Sequence, residues 1–174
     1  MPFSACDPVL LVEDDAAIAT VIIAALEDES FTIAHCTGIA ARDRLLASGK
    51  FSVMLTDVIL EDGDGLASLA AVRARAPDMP VIVLSAQNTL DTAVRASESD
   101  AFEYFPKPFD LDELVQAVRQ AVGSRAPRPA TEEDTLANDE GERMPLVGRS
   151  PAMQGVYRMI TRVLRNDLTV LITG

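Results

Sequence analysis

Over the first 123 residues, short and mostly apolar runs of four or five residues alternate with longer amphipathic stretches. Runs of this length that are rich in Val, Ile, Leu and Phe are typical of strands buried in a parallel sheet. They predict strands at Val9–Val12, Phe31–His35, Val53–Thr56, Val81–Leu84 and Phe102–Phe105.

Between the runs, apolar residues recur at helical spacing. The first stretch is the clearest, because Ile18, Val21 and Ile22 are followed by Ala25 and Leu26 at i+7 and i+8. Shorter stripes predict four more helices, which carry Ile39, Leu45 and Leu46; Leu66, Leu69, Ala70 and Val72; Ala93 and Val94; and Leu111, Leu114, Val115, Val118 and Val122. Five strand–helix units predict an α/β fold with a parallel sheet covered by helices on both faces.

Composition narrows the class of protein. The chain has 174 residues, of which 48% are hydrophobic, so it can bury a core. Its apolar runs are all shorter than the roughly 18–20 residues of a membrane span, and its first residues lack the basic start of a secretory signal. We therefore expect a cytoplasmic protein with no membrane partner. The net charge of −12 argues against direct contact with nucleic acid.

Charge divides the chain into three segments. Residues 1–123 carry 8 basic and 20 acidic side chains, whereas residues 144–174 carry 4 and 1. The intervening residues 124–143 are polar, contain Pro127 and Pro129, and have Leu136 as their only large aliphatic side chain. We interpret 1–123 as a domain, 124–143 as an acidic linker and 144–174 as the start of another unit. The alternative for the linker is a polar extension of the preceding helix.

Residues with carboxylate, hydroxyl or ammonium side chains directly follow the predicted strands. In open sheets of this type, ligands bind at that end of the strands. Glu13 and Asp14 follow the first strand, Asp57 the third, Ser85 the fourth and Lys107 the fifth. Clustered carboxylates resist joint ionisation unless a cation lies among them, and hard oxygen ligands suit Mg²⁺. A carboxylate in such a site can act as a nucleophile toward a phosphoryl group, which the ammonium would neutralise and the hydroxyl would hydrogen-bond. The pattern predicts a magnesium-dependent phosphoryl-transfer site.

The motifs Glu13-Asp14, Thr56-Asp57, Leu84-Ser85-Ala86 and Tyr104-Phe-Pro-Lys107-Pro108, in this order and at these spacings, resemble the receiver domain of two-component response regulators. The resemblance spans roughly residues 8–122. It implies a flavodoxin-like (βα)5 sheet with strand order 2-1-3-4-5, and it implies that the Lys107–Pro108 bond is cis.

The resemblance also implies roles for individual residues. Asp57 would accept a phosphoryl group from the phosphohistidine of a sensor histidine kinase, and Lys107 would contact that group. Mg²⁺ would be bound directly by Asp14 and by the backbone carbonyl of Ile59, with Asp57 beside it, and by Glu13 through water. The chain would thus promote its own phosphorylation, with autodephosphorylation, without being a turnover enzyme.

Ser85 and Tyr104 would form a switch pair that couples phosphorylation to the face made by the fourth helix and fifth strand. The resemblance further implies a homodimer formed through the receiver. One departure from the family pattern is Leu60-Glu61, which stands where many receivers carry Met-Pro. It puts the loop geometry and the dephosphorylation rate in question.

A finer resemblance is to nitrogen-regulatory, NtrC-type regulators. It rests on Ser85-Ala-Gln-Asn-Thr89, Ala96-Ser-Glu98 and the run from Tyr104 to Leu114. The tail from Leu146 to Gly174 resembles the opening of an AAA+ sigma-54-activating ATPase domain. Gly174 would be the first glycine of its phosphate-binding loop, so we expect no nucleotide hydrolysis by this chain. ATP, DNA and sigma-54 RNA polymerase would be partners of the parent protein only.

Alternative interpretations stay open on the residues alone. A flavin or nucleotide carrier is disfavoured because a Glu-Asp-Asp loop would repel phosphate. An aspartyl phosphatase is disfavoured because Ile59 stands where its second Asp should be. The Leu60-Glu61 departure keeps a non-phosphorylated docking module possible. The acidic residues after the first strand could also cap the first helix, a role that we assign to Asp15.

Overall fold

The computed structural model describes residues 7–86 and 90–124, and these form a central sheet with helices on both faces. In chain order the strands are β1 (Val9–Val12), β2 (Ile33–Cys36), β3 (Val53–Asp57), β4 (Ile59–Leu60), β5 (Gly63–Asp64), β6 (Val81–Ser85) and β7 (Glu103–Pro106). Five of them form one parallel sheet in the order β2-β1-β3-β6-β7. Counted along the chain without the short pair β4 and β5, this is the predicted order 2-1-3-4-5.

Five helices cover the sheet, as predicted. They are α1 (Ala16–Asp28), α2 (Ile39–Ser48), α3 (Leu69–Arg75), α4 (Leu90–Glu98) and α5 (Leu111–Gly123). One apolar cluster packs α1 and α5 against alternate strand residues such as Val9 and Leu11. The other packs α2, α3 and α4 against the opposite face, through residues such as Leu10 and Val12. The period of two along β1 therefore assigns successive side chains to separate cores.

Two element boundaries differ from the sequence prediction for local reasons. The second strand begins at Ile33 rather than Phe31, because the Phe31 N–H donates to Leu26 O (3.1 Å) and closes the end of α1. The third helix begins at Leu69 rather than Leu66. There the Asp64 carboxylate accepts the N–H groups of Leu66 and Ala67 (2.9 Å each) and holds them in a turn.

The short antiparallel hairpin of β4 and β5 was not predicted. It pairs Ile59 with Asp64 and Leu60 with Gly63 directly after the third strand. Gly63 takes a φ of 148°, a conformation that residues with a side chain rarely adopt. The Leu60-Glu61 departure lies in this hairpin, where Leu60 is buried and the Glu61 side chain is exposed.

Several sequence predictions lie outside the described residues. They include nearly all of the linker, the segment 144–174 with Gly174, and the Gln87–Thr89 part of the NtrC-like motif. Among the helices of the described ranges, none combines the length and the apolar character that crossing a bilayer requires.

Candidate functional site

The strand register brings the predicted site residues to one edge of the sheet. Val12 lies opposite Thr56, so Glu13 and Asp14 come out beside Asp57. Asp57 pairs with Leu84, directly before Ser85. Ser85 in turn pairs with Pro106, directly before Lys107. Because all these strands are parallel, their carboxyl ends meet, and four segments far apart in sequence converge there.

Lys107 is the centre of an ion-pair network. Its Nζ donates to Asp57 Oδ2 at 2.6 Å and to Glu13 Oε2 and Oε1 at 2.8 and 3.1 Å. Glu13 is fully buried, and the side chains of Asp57 and Lys107 are 8% and 11% exposed. Charge-assisted hydrogen bonds with so little water nearby hold both carboxylates in place. The contact between Glu13 and Lys107 was not foreseen from the sequence.

Burial and pairing act in opposite directions on these groups. Burial raises the pKa of the Glu13 carboxyl, although the ammonium of Lys107 opposes this effect. Burial lowers the pKa of Lys107, but its hydrogen bonds to Asp57 and Glu13 outweigh that effect and raise the pKa above its ordinary value. Lys107 therefore stays charged at neutral pH.

Three carboxylates converge beside this ammonium. Glu13, Asp14 and Asp57 each place an oxygen within 4.8 Å of the other two. One ammonium cannot neutralise three carboxylates, so the set retains negative charge that a cation would offset. Oxygen donors of this kind suit Mg²⁺, which binds through one or two carboxylates and keeps waters and phosphate oxygens. The donor chemistry of the cluster therefore fits a magnesium ion.

Each of these carboxylates accepts a backbone N–H, and two of the donors lie in the β4–β5 hairpin. The N–H of Ile59 donates to Asp57 Oδ1 at 3.2 Å, and the N–H of Glu61 donates to Asp14 Oδ2 at 3.1 Å. Both donors belong to the unpredicted hairpin. The backbone N–H of Asp15 donates to Glu13 Oε1 at 3.3 Å. Its side chain instead accepts the N–H groups of Ala17 and Ile18 and caps α1, as predicted.

Ser85, at the end of β6, and Tyr104, on β7, lie on the same face of the sheet. Tyr104 pairs with Val83, two residues before Ser85, so the two side chains point to the same face. Both residues are buried. Tyr104 belongs to the apolar cluster that includes Ala93 and Ala96 of α4, so its ring packs on the side of the sheet that α4 covers. The Lys107–Pro108 bond is cis, as the sequence analysis expected.

Gly65 approaches the site closely. A Cβ atom at this position would lie 2.1 Å from the carbonyl oxygen of Asp57, so any side chain would displace the backbone. The N–H of Gly65 donates to Val58 O at 2.8 Å and fixes this approach.

Comparisons with known proteins agree on a single family. A family model described as "Response regulator receiver domain" matches residues 9–119. The NtrC transcriptional regulator of Azospirillum brasilense, described as DNA-binding, is 44% identical over 95% of this chain. The match covers 34% of that protein, so this chain spans about a third of the length of such relatives.

Solved structures resemble the fold over its described part. The solution structure of the beryllofluoride-activated NtrC4 receiver domain dimer aligns with a TM-score of 0.66 at 28% identity, covering 68% of this chain and 98% of that one. A CheY-like receiver domain protein from Methanospirillum hungatei also gives a TM-score of 0.66, at 21% identity, covering 70% of this chain and 97% of that one. At that identity the second likeness concerns the fold alone.

Proposed function

Since this chain belongs to the response regulator receiver domain family and its receiver is of the NtrC type, we propose that Asp57 is the phosphoacceptor. The observation that carries the assignment is the 2.6 Å contact between Lys107 Nζ and Asp57 Oδ2 inside a cluster of three carboxylates. No other aspartate of the described ranges combines near-complete burial with this pairing.

The reaction is a phosphoryl transfer between two side chains. A carboxylate oxygen of Asp57 forms a bond to phosphorus while the bond from phosphorus to a kinase imidazole nitrogen breaks. The electron pair of that bond stays on the nitrogen. Lys107 neutralises charge on the transferred group, and Ser85 donates a hydrogen bond to one of its oxygens. The hairpin N–H of Ile59 keeps Asp57 oriented toward its partner.

Asp14, Asp57 and the backbone carbonyl of Ile59 are the direct ligands that we assign to Mg²⁺, with Glu13 acting through water. The ion would neutralise charge on the phosphoryl oxygens. Glu13 has a second task in this assignment, because its hydrogen bonds to Lys107 hold the ammonium beside Asp57.

We assign the switch to Ser85 and Tyr104. A phosphoryl group on Asp57 adds about −1.5 to −2 charge at this edge of the sheet. The hydroxyl of Ser85 would form a hydrogen bond with this group. Because Tyr104 packs on the α4 side of the sheet, the resulting rearrangement would alter that face. A homodimer formed through the receiver is the expected result, supported by the assembly of the NtrC4 receiver named above.

The partner that supplies the phosphoryl group is a sensor histidine kinase. The relatives' description as DNA-binding transcriptional regulators supports a role in transcriptional control. We propose that the controlled genes are nitrogen-regulated and sigma-54-dependent, and that the protein acts in the cytoplasm. ATP, DNA and sigma-54 RNA polymerase would then be bound by parts of the regulator other than this receiver.

Labelling with a small phosphodonor tests the assignment. Incubation with acetyl phosphate and Mg²⁺ should add one phosphoryl group to the wild-type chain and none to Asp57→Asn. Asp78→Asn, which alters an exposed turn residue, is the matched control and should label like the wild type. Equal labelling of Asp57→Asn, or labelling that persists in excess chelator, would contradict the proposal.

A further inference from the structure

Asp62 links the β4–β5 hairpin to α2, a helix that the mechanism has not used. It lies in the turn of the β4–β5 hairpin, and its carboxylate accepts the N–H of Ile39 at 2.8 Å and of Ala40 at 3.0 Å. These donors are in the first turn of α2. The residue that precedes α2 is Gly38, which has no side chain to cap the helix. The cap of α2 is therefore supplied from the hairpin next to the phosphoacceptor.

Gly38 makes room for this contact. A Cβ atom at position 38 would lie 2.7 Å from both carboxylate oxygens of Asp62. The backbone of Gly38 is extended, with φ −166°, so alanine could adopt it without strain. Space for the Asp62 carboxylate is thus what an alanine would remove.

The residue beside Asp62 reaches the cluster of carboxylates. The backbone N–H of Glu61 donates to Asp14 Oδ2 at 3.1 Å. Two adjacent residues of the hairpin therefore make hydrogen bonds to other parts of the fold. The Asp62 carboxylate bonds to α2, and the Glu61 N–H bonds to Asp14. Any displacement of the turn from α2 would move the donor that orients Asp14.

We propose that Asp62 is a positioning residue for divalent-cation binding, because its cap on α2 holds the Glu61 N–H against Asp14. The proposal rests on the proposed function, which makes Asp14 a magnesium ligand. Groups that orient metal ligands commonly change metal affinity by about 10-fold to 100-fold when they are removed. A single N–H donor in an exposed turn belongs at the lower end of that range.

The test measures Mg²⁺ affinity of the full chain by isothermal titration calorimetry, with urea unfolding of each variant alongside. Asp62→Ala should weaken Mg²⁺ binding about tenfold. Asp62→Asn keeps one of the two acceptor oxygens for the helix, so it should lose less Mg²⁺ affinity than Asp62→Ala. Asp78→Asn removes one exposed negative charge and none of these contacts, and it should bind Mg²⁺ like the wild type.

Gly38→Ala gives a test that leaves the charge unchanged. Its methyl group should displace the Asp62 carboxylate and weaken Mg²⁺ binding about as much as Asp62→Ala does. In the Asp62→Ala background the same substitution should add nothing, because the group it displaces is already gone.

Three results would overturn the positioning role. Equal losses in Asp62→Ala and Asp62→Asn would show that an oxygen acceptor for the α2 N–H groups does not maintain Mg²⁺ affinity. Wild-type Mg²⁺ affinity in Asp62→Ala together with lower stability would leave Asp62 as a helix cap only. Wild-type Mg²⁺ affinity in Gly38→Ala would show that the contact of Asp62 with α2 does not affect Mg²⁺ binding. If the wild-type chain neither binds Mg²⁺ nor labels at Asp57, the proposed function fails as well; if it does both, only the positioning role is lost.

Discussion

Lys107 joins two carboxylates that lie 94 and 50 residues away in the sequence. Both acceptors are buried, so neither can be hydrated well if the ammonium is removed. The cost of breaking a buried ion pair comes mainly from the charges left without a partner. Lys107 thus stabilises the fold at the same position where we propose that it contacts the phosphoryl group.

Lys107→Ala should lower the free energy of unfolding by about 2 kcal/mol, because two buried carboxylates lose a charged donor. Urea denaturation measures this loss. Lys50→Ala, at an exposed position, is the control and should stay within about 0.5 kcal/mol of the wild type. A Lys107→Ala protein as stable as that control would contradict the account of the network.

The contribution of Asp62 to the stability of the fold should depend on pH. The N–H groups of Ala40 and Ile39 lower the pKa of its carboxyl below the ordinary value of 3.8. A lowered pKa in the folded state stabilises the fold above the unfolded value, and the contribution is lost as pH falls through the folded pKa. The stability difference between the wild type and Asp62→Ala should therefore shrink below pH 3.8 in urea titrations. A difference that stays constant into more acidic solution would refute this role.

At the scale of elements, the five strand–helix units followed from apolar periodicity, because strands buried on both faces and amphipathic helices leave distinct patterns. The meeting of the candidate site residues at one edge was predictable, because parallel strands bring their carboxyl ends together there. The β4–β5 hairpin was not, since two-residue strands are too short to show a period. The pairing of Glu13 with Lys107 and the cap of Asp62 on α2 were also missed. Such contacts depend on side-chain placement between distant segments, and no local pattern records them.

Gly65 packs the turn before α3 closely against the end of β3, at the carbonyl of Asp57. Gly65→Ala should cost about 2 kcal/mol of stability, because its Cβ would overlap the Asp57 carbonyl oxygen and force the backbone apart. The same shift should slow labelling by acetyl phosphate. Gly123→Ala is the matched control: its Cβ would meet nothing within 4 Å, and we expect unchanged or slightly higher stability. Equal behaviour of the two variants in urea unfolding and labelling would rule out the close approach.

At the scale of the whole molecule, the sheet separates two apolar clusters, one on each of its faces. The cluster with α1 and α5 contains the buried faces of those two long helices. The other cluster contains Tyr104 together with residues of α3 and α4. We propose that a change at Ser85 reaches that surface through Tyr104. The net charge of −12 opposes association of the chain, and phosphorylation adds to this charge, so dimerisation would require new contacts at the changed surface.

Phosphorylation should therefore change the oligomeric state. Light scattering after size-exclusion chromatography should report a monomer for the untreated chain and a dimer after treatment with acetyl phosphate and Mg²⁺. Asp57→Asn should remain monomeric under both conditions. Identical masses for the treated and untreated wild type would contradict the proposed coupling between Asp57 and the α4 face.

The most direct measurement is chemical identification of the phosphorylated side chain. Borohydride reduces an acyl phosphate on aspartate to homoserine, so reduction of the labelled chain followed by peptide mass spectrometry marks the acceptor residue. We predict homoserine at position 57 after treatment with acetyl phosphate and Mg²⁺. Homoserine at another aspartate, or intact Asp57 in a chain that carries phosphate, would contradict the central claim.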